Sequence, residues 1–264
     1  MTATYLYCVI ASPRAPRAAV LARVPRGLPG AGRVRLLPVA DGLFAVVADV
    51  PLPRYGEATI NRQLSNLDWV SRAAVAHESV VEHFSRAAAV LPMKLFTIFS
   101  SDERALAYLT AERRQLAALA RRVTNHEEWG VRLKLDRPTA ADDVSRRAAR
   151  RTSATGASTA IGREYLSRKK ARRDASLELA TRAQETASSL YDRLSAKARL
   201  ARRRSTGDLP VEGASLLLDA AFLVARSRAE AFQRLAAKEA RTLSPRGYVM
   251  TLTGPWPPYS FVQE

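Results

Sequence analysis

With 264 residues, 47% of them hydrophobic and 25% charged, the chain has a globular composition able to bury one large core or two ordinary ones. A single cysteine, Cys8, excludes an intrachain disulfide and a cysteine-based metal cluster, and no uninterrupted apolar run has the length that spans a bilayer. The net charge is +17, and 18 basic against 7 acidic residues between Arg137 and Arg204 concentrate an excess of 11 there, a field that attracts nucleic acid, an anionic surface or an acidic protein without choosing among them.

The opening "MTATYLYCVIA" has no basic residue ahead of its apolar stretch, so it reads as a first strand and not as a signal peptide, and the expected location is the cytoplasm. Aromatic and β-branched residues followed by Pro13 and Pro16 make residues 5–11 a buried strand, with Cys8 a small buried hydrophobe within it. "RAAVLAR" forms a short helix before "VPRGLPGAG", whose glycines lack the dinucleotide-binding spacing and open no helix. "RVRLLPV" and "LFAVVADV" flank Asp41-Gly42, which suits a tight hairpin. Leu67, Val70, Ala74, His77, Val81 and Phe84 then mark one apolar helical face, and "AVLPMKLFTIF" (89–99) is the next strand. The order β-α-β-β-α-β is the ferredoxin-like split arrangement, with helices on one face of an antiparallel sheet. A helix from Ser100 towards Val123 closes a first domain, 1–123.

The second domain, 124–264, begins with the half-buried strand "EEWGVRLKL". Residues 138–158 lack a hydrophobic period and read as a mobile connection. A helical arm over about 160–204 follows. Its first half carries Arg163, Arg168, Lys169, Lys170, Arg172 and Arg173, and its second half shows Ala180, Ala183, Ala187, Leu190 and Leu194, a narrow seam able to form a coiled coil within the chain or between chains. "ASLLLDAAFLV" gives a strand or two, 226–243 a helix with Phe232 and Leu235 inward, and "GYVMTLTG" a final strand. The fold class expected is therefore α+β in two domains, the second bearing long, partly coiled-coil helices. In the tail, "GPWPPYSF", proline cannot continue a central strand. Trp256, Tyr259 and Phe261 there form either a clasp folded back over a hydrophobic seam or a docking peptide.

Catalytic constellations are absent from the sequence. His77-Glu78 starts a zinc-protease pattern, but Val81 stands where the second histidine is required, and His83 and His126 fall out of step. No phosphate-binding loop or nucleophile elbow is present, so no catalytic, cofactor-binding or metal residue is expected. If the chain were an enzyme, His77, Glu78 and Tyr259 would be the candidates. The Arg-rich arm is a solvated face or an electrostatic docking surface. A nucleic-acid-binding role is the alternative, disfavoured because only Tyr165 and Tyr191 lie within the arm as stacking groups.

"LTGPWPPYSFV" is similar to the C-terminal signature of the gas vesicle protein F/L family. "YLYCVIA", "LDWVSRAAVAHESVVE", "AVLPMKLFTIFSSDE", "EEWGVRLKLD", "GREYLSRKKA" and "AAFLVAR" resemble further segments of that family in the same order, so the resemblance spans almost the whole chain. Lys94, Leu95 and Phe96 depart from it, since the family commonly shows Arg-Phe-Gly there. The resemblance implies a non-enzymatic minor protein of the cytoplasmic gas vesicle, either the F or the L member, needing no cofactor. It implies a part in assembly and nucleation, binding the small hydrophobic shell protein and other minor gas vesicle proteins and limiting premature aggregation. Membrane, nucleic acid and small-molecule substrate are not expected partners. Contacts to the shell protein are expected from Arg163, Arg168, Lys169, Lys170, Arg172, Arg173, Trp256, Tyr259 and Phe261.

Overall fold

The computed structural model describes residues 1–14, 16, 18–40, 42–136, 161–204 and 214–262, the side chains of 161–169, 171, 172, 175 and 214 excepted. The connection expected over 138–158 lies outside the described residues. Two compact units are present, 1–128 together with 255–264, and 129–254. The division thus falls after 128 and not after 123, and the final ten residues belong with the first unit.

The first unit is built on strands β1 (Thr2–Ala11), β2 (Arg35–Ala40), β3 (Leu43–Pro51), β4 (Ala89–Pro92) and β5 (Ile98–Phe99). They form an antiparallel sheet in the order β2-β3-β1-β4, with β5 also paired to β1. Gly42 takes φ 73° in the β2–β3 turn, a conformation that costs glycine nothing. Helices α1 (Ala18–Leu21), α2 (Leu52–Tyr55), α3 (Glu57–Gln63), α4 (Leu67–His83), α5 (Asp102–Ala111) and α6 (Arg113–Val123) complete the unit. β1 is buried from Ala3 to Ile10, which a strand covered on one face could not be. Tyr5 meets His77 of α4, whereas its neighbour Thr4, pointing to the opposite face, donates to Asp102 of α5 at 2.7 Å. Helices therefore cover both faces of the sheet, not one.

The structure departs from three further expectations. The apolar side of α4 is Ala73, His77, Val80 and Val81, continued by Phe84, while Leu67 is 80% exposed. The strand expected over 89–99 is broken after Pro92 by a turn in which Phe96 has φ 65°. The helix expected to reach Val123 unbroken is bent at Glu112, so that α5 packs on β1, β2 and β5 and α6 on β4.

The second unit holds β6 (His126–Asp136), α7 (Ile161–Ser195), β7 (Leu200–Arg203), β8 (Ala214–Ala225), α8 (Ala229–Leu243) and β9 (Tyr248–Trp256), with sheet order β7-β8-β6-β9. Alternate residues Trp129, Val131, Leu133 and Leu135 of β6 and Leu218, Ala220, Phe222 and Val224 of β8 form one face of its core. Ala183, Ala187, Leu190 and Leu194 of α7 and Phe232, Ala236 and Leu243 of α8 cover it. The seam read as a coiled-coil edge packs on the sheet of its own unit, and Ala180 is exposed. The arm ends as a helix at Ser195, and residues 200–203 pair with β8. β9 continues through Pro255 because it is an edge strand, where a missing backbone donor is tolerated. A last helix, α9 (Tyr259–Val262), belongs to the first unit. No described helix is long and apolar enough to cross a membrane.

Candidate functional site

Alternation along β1 brings Tyr5 and Tyr7 to one face of the sheet with ring centroids 4.6 Å apart, beneath His77 of α4. The Tyr5 hydroxyl accepts from the Phe96 amide at 3.3 Å and is hydrogen-bonded to His77 Nδ1, 2.7 Å away. Burial lowers the His77 pKa to about 4, against a weaker opposing pull from the Met93 carbonyl. Burial likewise pushes Tyr7 up to about 12. A neutral imidazole hydrogen-bonded to a buried tyrosine and itself 4% exposed is a core group.

Glu78, next along α4, accepts from the hydroxyl of Tyr259 in α9. Burial raises the Glu78 pKa; the Tyr259 bond opposes this, and Glu82 and Glu128 add to it. At the next residue, the Ser260 amide and hydroxyl each donate to Glu128 at 2.7 Å. Pro257, Pro258 and Phe261 are buried, and Tyr259 packs against the first unit's core. Beside this segment a groove of about 270 Å³ is lined by Leu91, Met93, Lys94, Tyr108, Leu116 and Val262.

His77, Glu78 and Tyr259, the three residues considered for catalysis, thus come together although Tyr259 lies 181 residues from Glu78. What they make is two separate hydrogen bonds, His77 to Tyr5 and Tyr259 to Glu78, with His77 Nε2 and Glu78 Oε1 buried and without a hydrogen-bond partner among the described residues. The partner-facing residues separate more widely. Trp256 is 41% exposed, Tyr259 is partly buried, and Phe261 is 4% exposed and hence a core residue instead of a contact offered to another protein. Lys170 and Arg173 are exposed on α7, whereas the side chains of Arg163, Arg168, Lys169 and Arg172 lie outside the described residues. Among the described residues no cluster of His, Cys, Asp or Glu is placed to hold a metal.

Sequence reasoning missed Glu128 as the anchor of the tail, and Arg193, whose guanidinium makes two bonds to Glu239 at 2.9 and 3.0 Å and ties α7 to α8. It also missed Arg35, which joins Asp49 and Asp102. No local pattern marks such pairs, since their members are 46 to 132 residues apart in the first two cases.

The profile of a family described as gas vesicle synthesis protein GvpL/GvpF matches residues 3–263. Gas vesicle protein L of Streptomyces sp. (strain CB03234) is 31% identical over 245 residues, covering 90% of this chain and 87% of that protein. The crystal structure of gas vesicle protein GvpF from Anabaena sp. PCC7120 superposes with a TM-score of 0.70 at 16% identity, covering 100% of this chain and 97% of that one. GvpF from Microcystis aeruginosa gives 0.66 at 16% identity over 99% of both chains. At such identity the two structures speak to the fold, which they share.

Proposed function

The chain belongs to the gas vesicle synthesis protein GvpL/GvpF family, and on that premise we propose that it serves gas vesicle assembly by holding the small hydrophobic shell protein before and during nucleation. In this reading it catalyses no reaction, and it keeps shell subunits from associating prematurely while other minor gas vesicle proteins join. The observation that carries the reading is the family match, which runs from residue 3 to residue 263. The burial of this cluster supports it, because the atoms of His77 and Glu78 left without a partner, Nε2 and Oε1, are shut away from solvent and from any substrate.

Capture of the partner begins with charge. The excess of 11 positive charges between Arg137 and Arg204 gives the helix α7 region a long-range attraction, and exposed Lys170 and Arg173 belong to that run. Trp256 supplies exposed aromatic area at the start of the tail. The antiparallel order β2-β3-β1-β4 supports a ferredoxin-like reading of the first sheet, here with an added helical layer. Replacing Arg168, Lys169, Lys170, Arg172 and Arg173 together by Gln is expected to weaken pull-down of the shell protein and to flatten its salt dependence. Capture that persists unchanged at high salt and in the variant contradicts the electrostatic step.

A further inference from the structure

Sheet edges are unpaired templates, and proteins blunt them with short strands, proline, bulges or charge. Three of the four edges among the described residues are blunted in these ways. β2 has Pro38 and a register shift between Pro38 and Ala40. β4 has four residues and ends in Pro92. β7 has four residues, two of them the exposed Arg202 and Arg203. β9 is different, since it runs for nine residues and has no proline before Pro255. From Gly247 to Val262 the chain carries no charged residue at all, although a quarter of the whole chain is charged.

The register of β9 follows from two contacts. The Asp136 amide donates to the Gly247 carbonyl at 2.9 Å, and a Cβ added to Gly130 would meet the Thr253 hydroxyl at 2.6 Å. β6 and β9 are therefore antiparallel, with Arg132 opposite Thr251 and Lys134 opposite Val249. In this pattern the odd-numbered residues of β9 bond to β6, and the amides of Met250 and Leu252 point to the open side. Met250 and Leu252 direct their side chains to the core. Val249, 53% exposed, and exposed Thr251 and Thr253 form the outer face.

The geometry points to the β9 edge as a strand-addition site for an extended segment of an acidic partner protein, uncharged along its pairing stretch except for carboxylates on the face shared with Val249, Thr251 and Thr253. Charge complementarity selects this occupant. On that face Lys134 stands two strand spacings, about 10 Å, from an incoming strand, within reach of long side chains, while Arg132 beside it is paired at 3.1 Å with Asp219 of β8. A second copy of this chain would bring another +17 against the first. The inference stands on the edge itself and does not rest on the role proposed above.

The test uses the full chain and a capped ten-residue peptide of alternating valine and threonine with two glutamates on one face, and a matched peptide with lysines in their place. Amide hydrogen exchange is followed by NMR. The glutamate peptide at about 1 mM is expected to slow exchange at Met250 and Leu252 by about tenfold or more, with no such effect from the lysine peptide. Thr251→Glu is expected to reverse that preference, and Thr251→Ser to keep it. No added protection, equal protection by both peptides, or protection that rises with protein concentration in the absence of peptide would each overturn the proposal, the last by showing a second copy on the edge.

Discussion

Phe96, the last of the three residues Lys94, Leu95 and Phe96 that depart from the resemblance, is one of two non-glycine residues with positive φ among the described residues, at 65°. The left-handed conformation costs a residue with a Cβ roughly 1–2 kcal/mol, so glycine is the unstrained choice there. Here the ring stacks on Trp69 at 5.0 Å and 21°, and the Phe96 amide bonds to Tyr5, which together offset the strain. Phe96→Ala should lose the stack and keep the strain, whereas Phe96→Gly should lose both. The glycine variant is therefore expected to be more stable than the alanine variant by about 1 kcal/mol in chemical denaturation, the reverse of their usual order. His77 provides a second test. Its pKa falls from 6.5 unfolded to about 4 folded. The stability it contributes is complete above pH 6.5 and is lost as pH falls towards 4, because only the unfolded chain takes up the proton, by roughly 3 kcal/mol at most. Glu78, with a raised pKa, works in the opposite sense. Comparison of unfolding midpoints across that window should show a shallower acid loss in His77→Gln than in the wild type.

Among the elements, the strands were the most legible, because YLYCVIA and EEWGVRLKL carry their burial pattern in consecutive residues. The placement of His77 in the core was legible too, since it shares the apolar side of α4 with Ala73, Val80 and Val81. Local spacing does not say what lies opposite. The face of α4 was displaced to include Leu67, because at the helix start nothing covers that residue. The Ala183–Leu194 seam has the period of a helix pair, but a flat sheet of Val, Leu and Phe accepts the same narrow stripe. The tail was harder still, as its partners Glu78 and Glu128 sit more than 130 residues away. Its energetics can be measured. Tyr259→Phe leaves Glu78 without its donor and is expected to cost about 1–3 kcal/mol. Phe261→Ala should cost about 3–5 kcal/mol through the lost core side chain. Both losses should appear in thermal unfolding, and addition of Glu78→Gln should make the Tyr259→Phe loss smaller.

At the scale of the whole molecule, the chain joins two α+β units, each with its own sheet and core, to a charge of +17. That charge favours solubility and long-range attraction. In the function proposed above it acts by what it holds. Its part in gas vesicle assembly follows from family membership, and the proposed mechanism adds that the protein is needed at the nucleation step. Electron microscopy of cells lacking this gene and any close paralogue tests that most directly. The account predicts that such cells form few or no gas vesicles and that a copy carrying His77→Gln, provided it folds, restores them. Vesicles of normal number and shape in the deletion strain would contradict it.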